Sequence, residues 1–348
     1  MYTIVLARFF LTLLKSENER EIWKVEQRQF PLLDITIVKK LSNSSVFMLA
    51  ALLVVTPASS WAEAPADSSL RDKQWIHGAE DCEVSEDPAI EVYRYDDASY
   101  ILRQSKCLNF EAPFMFLLLG TKIALLLDSG ATKSAIDFPL YDTVRALVAD
   151  REIVLIHSHS HGDHRRGDVQ FEGKSGVTVV EASGNGVTEF FGFTDWPSGE
   201  SRLELGGREL VVLPTPGHQE EAITVYDPET QWLLTGDTVY PGYIYVKDWQ
   251  AYRLSIERLA LFSQDHTVSA VLGSHIEMTS TPGQYYPIGT TFQPEEASLV
   301  LDPAILSALN SALARRDKPS EIQRDELIVA PMNFVQRGVS NFARWLSQ

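Results

Sequence analysis

One stretch limits what this chain can become more than any other. The apolar run Ile153 to Ile156 leads directly into His157-Ser158-His159-Ser160-His161-Gly162-Asp163-His164. Four of the chain's eight histidines and one aspartate fall within those eight residues. The run reads as a buried strand, and the residues after it as the loop at its C-terminal end. Loops on the ends of a rigid sheet hold polar groups accurately, so this is where an α/β protein builds a site. The residue types make it a metal site.

His159 and His161 are two apart. In extended backbone the side chains of i and i+2 point the same way, so both imidazoles can face one ion. Gly162 lets the backbone turn, after which Asp163 and His164 can face a neighbouring ion. Zinc accepts such a mixture of nitrogen and oxygen ligands. At this chain's histidine frequency, H-x-H-x-D-H arises by chance about once in a few thousand chains of this length, so coincidence is a weak rival.

Elsewhere the pattern is of short strands with helices at intervals. Strands are expected at Ile90–Tyr95, Tyr100–Arg103, Phe114–Leu119, Lys122–Leu127, Val177–Val180, Ser201–Leu205, Glu209–Leu213, Ala222–Tyr226, Trp232–Leu234 and Val268–Leu272. Helices are expected at Pro139–Ala149 and Asp248–Phe262, with Gly184 to Pro197 as a connection. Near the end, Leu299–Arg316 and Asn341–Leu346 read as helices, and Leu327–Val329 as a strand between them. Antiparallel runs of this kind fit two sheets faced by helices better than one doubly wound sheet. No G-x-G-x-x-G follows a strand, and there is no phosphate loop.

Three later residues also stand at strand ends: His218 after Pro214-Thr215-Pro216-Gly217, Asp237 after Leu234-Thr235-Gly236, and His275 after Gly273-Ser274. Each is weak alone; with the histidine loop they complete enough ligands for two ions. Together with Leu127-Asp128-Ser129-Gly130, these motifs resemble the metallo-β-lactamase fold superfamily, over roughly residues 90 to 280. The resemblance implies an α+β fold, a four-layer αβ/βα sandwich with the metals at one edge. It implies one ion held by His159, His161 and His218, a second by Asp163, His164 and His275, and Asp237 bridging. It makes Asp128 a buried carboxylate that orients a ligand rather than binding metal. The implied cofactor is two zinc ions, with iron and manganese as the other candidates.

Two ions about 3.5–4 Å apart hold a shared hydroxide that attacks a carbonyl or phosphorus, so the expected reaction is hydrolysis. Asp163 could accept a proton while ligating. An aspartate at position 237 resembles the thioesterase and lactonase branches, and Tyr240 matches the spacing of a tyrosine that polarises the carbonyl in lactonases. A wall residue is the plainer reading of Tyr240. The expected substrate is a small lactone, ester or related acyl compound, with a β-lactam as the alternative. A hydroxyacylglutathione-type thioester or a phosphodiester ranks lower, and an inactive metal-binding protein stands as the non-enzymatic reading. Two departures from the family pattern, Gln219-Glu220-Glu221 and Arg165-Arg166-Gly167-Asp168, are expected to place bulk and charge at the mouth. Trp196, Trp232 and Trp249 read as core or lid packing, and Phe190 to Phe193 as part of a wall. The net charge of −17 argues against nucleic acid and anionic membranes as partners.

The front of the chain reads differently. Lys39-Lys40, the apolar run Val46–Val55 and the small residues up to Ala62 have the shape of an export signal cleaved near Ala62. A membrane anchor or buried helix is the competing reading. The organisation expected is thus an extension and signal over 1–62, a lead-in over 63–89, a catalytic domain over 90–293 and a helical extension over 294–348. The last either caps the site or makes a homodimer contact. Export predicts a periplasmic or secreted protein with no lasting membrane partner. Cys82 and Cys107 would then be free to pair, although two reduced thiols fit nearly as well.

Overall fold

Phe114-Met115-Phe116-Leu117-Leu118-Leu119 carries no polar residue, so as a strand it must be covered on both faces. The computed structural model, which describes residues 70–334 and 336, covers it in that way. Six strands make the first sheet: β1 (Ile90–Arg94), β2 (Ser99–Gln104), β3 (Phe114–Leu119), β4 (Ile123–Leu127), β5 (Glu152–Ile156) and β6 (Val177–Val179), in that spatial order. β1 to β4 form an antiparallel meander, and β5 and β6 run parallel to β4. The β4–β5 crossover carries α1 (Leu140–Val148), and α2 (Gly162–Arg165) and α3 (Gly184–Phe191) flank β6 in the chain.

The second sheet contains β7 (Ser201–Glu204), β8 (Glu209–Pro214), β9 (Ile223–Asp227) and β10 (Trp232–Gly236). After β11 (Tyr243–Val246) and α4 (Trp249–Asp265), β12 (Ala270–Gly273) adds parallel to β10, and β13 (Val300–Leu301) closes the edge. α5 (Ala304–Ala314) comes next. β14 (Ile322–Gln323) and β15 (Ile328–Pro331) then form a small third sheet with β11.

Strand alternation sorts the core into layers. Phe116 and Leu118 of β3 meet Val212, Val225 and Leu234 of the second sheet, whereas Met115 and Leu117 face Leu140 and Val144 of α1. On the other outer face, Val211, Leu233 and Val271 pack against Ile256 and Leu259 of α4 and Leu306 and Leu309 of α5. The result is the expected helix–sheet–sheet–helix sandwich.

Two local expectations need correction, and one strand has no signal in the sequence. Leu299–Arg316 is not one helix, because Val300 and Leu301 pair with Leu272 and Val271 and Pro303 stands at the start of α5. The connection from Gly184 contains α3, capped by Ser183 Oγ, which accepts from Gly186 N at 3.0 Å. Its two glycines mask the helix in sequence because each costs about 1 kcal/mol of helix propensity. β11 is a strand that sequence periodicity does not show, since its partner lies some eighty residues downstream. Asn341–Leu346 and the Lys39–Ala62 segment fall outside the described residues. Among the described residues no helix is long and apolar enough to cross a membrane.

Cys82 and Cys107 form a disulfide across a sequence separation of 25. A loop of that length is stabilised by about 3 kcal/mol on the chain-entropy account. Cys82→Ser with Cys107→Ser is therefore expected to lower unfolding stability by about 3 kcal/mol, read from urea denaturation. An unchanged midpoint would show that the surrounding packing alone holds this loop.

Candidate metal centre

β4, β5, β8, β10 and β12 all end at one edge of the sandwich, and each is followed by a polar residue of the site: Asp128, His159, His218, Asp237 and His275. The loops cross closely. Gly236, at φ +54, passes so near Ser158 that a Cβ would stand 2.5 Å from the serine Cβ, so only glycine serves there. Ile223 N donates to Ser158 O at 2.9 Å and Phe114 N to Ser274 O at 2.8 Å, tying the two sheets together at this edge.

Two groups of ligand atoms result. His159, His161, His218 and Asp237 form one, and Asp163, His164, Asp237 and His275 the other, with the atoms of each within 4.8 Å of one another. In the first, His161 Nδ1 lies 2.9 Å from His159 Nε2 and 3.1 Å from His218 Nε2. In the second, Asp163 Oδ2 lies 3.1 Å from His164 Nε2 and 3.2 Å from His275 Nε2. Asp237 divides its oxygens between them. Oδ2 is 3.8 Å from His159 and 3.6 Å from His218, and Oδ1 is 3.6 Å from His164 and 3.4 Å from His275.

The far ring nitrogens show which atoms are lone pairs. His218 Nδ1 meets Tyr245 O at 2.8 Å, His275 Nδ1 meets Glu111 O at 2.9 Å, and His164 Nδ1 meets Asp128 Oδ2 at 2.9 Å. Each Nδ1–H donates to its oxygen, which aims Nε2 inward. Gln219 Nε2 lies 2.6 Å from His161 Nε2, and the two ends of the amide exchange by a flip. With its oxygen on that side it accepts Nε2–H and leaves His161 Nδ1 as the inward lone pair. In the first group, lone pairs converging at such distances repel unless a cation lies between them. Asp237 Oδ1, buried and without a hydrogen-bond partner, fits the same account. The residues present fit two divalent ions.

Asp128 is fully buried at φ +69 and accepts from Ser158 N (2.7 Å), Ser158 Oγ (2.9 Å) and Ser274 Oγ (3.3 Å) besides His164. His157 turns away from both groups to Asp168 Oδ1 at 2.8 Å, which also accepts from Ser129 Oγ. Glu221 corrects an expectation: it is buried, and it accepts Ser160 N at 3.0 Å beneath the histidine loop. Only Glu220 of that trio is exposed, beside Lys247 Nζ at 3.2 Å. Arg166 is exposed over Gly162, whereas Trp232 is core. Tyr240 packs its ring against His275 and donates its hydroxyl to Tyr243 O at 3.0 Å. Glu111 joins the site without any signal in the sequence. Burial and the nearby Asp163 push its carboxyl up to about 7.

The two groups differ in charge. Burial, reinforced by neighbouring imidazoles, holds His159 and His218 below the ordinary value and His161 at about 3, so the three imidazoles of the first group are neutral. In the second, burial opposes the charge, but Asp237 and Asp163 outweigh it and raise His275 to about 9. His164 is raised in the same way by Asp163 and Asp128. Both must lose that proton to bind an ion. Ion binding to the second group is therefore expected to release protons at pH 7 and to strengthen as pH rises toward 9, while the first group releases none. Without ions, the stabilisation from protonated His275 is full below pH 6.5 and is lost as pH rises through about 9. Calorimetric zinc titrations in two buffers of different ionisation enthalpy measure this release; a buffer-independent heat for both ions would refute it.

The sequence profile described as the metallo-beta-lactamase superfamily matches residues 108–302, more than half of the chain. The chain belongs to that superfamily. It is a hydrolase, as its relatives are. Acyl-coenzyme A thioesterase MBLAC2 of Homo sapiens is 25% identical over 205 residues, covering 46% of this chain and 72% of its own. A hydroxyacylglutathione hydrolase of Brucella anthropi is 24% identical over 225 residues, 62% of this chain and 77% of its own. Among solved structures, a metallo-beta-lactamase from Pontibacter korlensis aligns at 19% identity and a TM-score of 0.43, over 65% of this chain and 100% of that one.

Proposed function

We propose that this superfamily member cleaves an acyl compound, a lactone, ester or thioester, with two divalent ions, zinc foremost. The observation that carries the reading is Asp237, which presents one oxygen to each ligand group. Divalent ions held by these residues would polarise a carbonyl and lower the pKa of a nearby water toward neutrality. The protein's own part is positional. Asp237 sets the spacing of the groups, and Asp128 and the carbonyls of Tyr245 and Glu111 fix which imidazole nitrogen faces inward. Asp163, beside both second-group histidines, is placed to receive a proton during turnover. Tyr240 assists a carbonyl only by exchanging its bond to Tyr243 O. The names of the two relatives describe thioester cleavage, which supports the acyl reading. The Cys82–Cys107 bridge supports export to an oxidising compartment.

The test is turnover by the zinc-loaded protein of a homoserine lactone, an aryl ester, an acyl-coenzyme A, a hydroxyacylglutathione and nitrocefin. Turnover of an acyl substrate that is lost in His159→Ala and Asp237→Ala supports the reading. Nitrocefin turnover alone would replace it with a β-lactamase. Silence with both ions bound would sink the acyl assignment.

A further inference from the structure

A cavity of about 690 Å³ opens beside the first ligand group, within the size range of small-molecule sites. It adjoins the metal centre: Gly217 and Gln219, which flank the ligand His218, form part of its wall. The same Gln219 amide touches His161. Two indoles line it. Trp249 comes from the first turn of α4, and Trp196 from the loop after α3, where it packs edge-on to Phe193 at 5.5 Å. Pro197 and Pro216 add apolar surface between them. The charged groups at its rim are Lys247, matched by Glu220 at 3.2 Å, and Asp248, whose carboxylate accepts Ala251 N, so this wall disfavours an anion and leaves the apolar surface to a neutral group.

The opposite flank of the centre is acidic. The loop that carries Glu111 meets His275 there, and Glu277 accepts Tyr243 N at 2.7 Å. An apolar group is thus accommodated on the His218 side and not on the His275 side. We infer that this cavity is the acyl-chain subsite of the enzyme: it holds a neutral, medium-length aliphatic or aryl acyl group between Trp196 and Trp249 while the carbonyl lies at the metal centre. The assignment rests on the proposed acyl hydrolase activity and extends it to a substrate class and an orientation.

The test separates binding from turnover. Butanamide, hexanamide and octanamide, neutral mimics of the acyl product, are titrated into metal-free and zinc-loaded protein by tryptophan fluorescence and calorimetry. Affinity is expected to rise about threefold per methylene. Trp196→Ala is expected to cost octanamide about tenfold with zinc content unchanged. Ala251→Phe, which fills the cavity from α4 without removing a packed side chain, should abolish octanamide binding and spare butanamide. Affinity independent of chain length, or octanamide binding intact in both variants, overturns the subsite. Chain-length-dependent binding without turnover of any ester supports the subsite and defeats the hydrolytic reading. Ester turnover with equal kcat/KM for acetyl and octanoyl esters, unaltered by Trp196→Ala, overturns the subsite and leaves the hydrolytic reading standing.

Discussion

Asp237→Ala is expected to weaken ion binding at both groups at once, by about a hundredfold each, and to lower kcat/KM by about 10³-fold or more. The reason is the sharing of one carboxylate. Each group keeps three other ligands, so neither is abolished, but both lose the one carboxylate they have in common. Five imidazoles and Asp163 would then surround the ions, with one anionic ligand fewer to offset two divalent charges. Asp237→Asn keeps the shape and removes the charge, so its defect should match that of alanine in affinity but not in thermal stability. Metal content by mass spectrometry beside hydrolysis rates measures both effects. A variant that retained two ions at wild-type affinity would show that Asp237 does not bridge.

Asp128→Ala should be the most destabilising single change at this edge, although Asp128 touches neither ion. Its carboxylate receives Ser158 N, Ser158 Oγ, Ser274 Oγ and His164 Nδ1, and all four belong to buried residues. Truncation strands those donors and leaves alanine at φ +69, where aspartate is tolerated better. The expected cost is about 3–5 kcal/mol. His164 is also freed to rotate, so affinity at the second group should fall about 10–100-fold. Asp128→Asn keeps two acceptor sites on one oxygen and should lose about 1–2 kcal/mol with a similar metal defect. Urea denaturation of metal-free protein separates the fold effect from the ion effect. Wild-type stability in Asp128→Ala would mean that water replaces the carboxylate fully.

The candidate ligand residues were legible because their side chains are chemically unmistakable and stand at strand ends. His159 to His164 are contiguous, and His218, Asp237 and His275 each follow a strand with a glycine close by. What orients them was not legible. The carbonyls of Tyr245 and Glu111 could belong to any residue, and only the fold brings them to His218 and His275. Glu221 read as charge at the mouth because sequence shows its type but not the direction of its side chain, which turns in under Ser160. The fold divides in a similar way. Strands buried on both faces announced themselves by unbroken apolar runs. β13 read as helix because two residues of edge pairing leave no periodicity of their own.

The bridge between Cys82 and Cys107 has a practical consequence. Cys107 opens the short loop whose Glu111 carbonyl orients His275, and Cys82 anchors that loop to residues lying ahead of the first strand. A shortened protein trimmed to begin at β1 would look complete by its sheets and its ligands. It would nevertheless carry an unpaired thiol four residues from that carbonyl, open to any thiophilic ion added to it. Whoever prepares this enzyme should keep the chain through Cys82 and produce it where thiols oxidise.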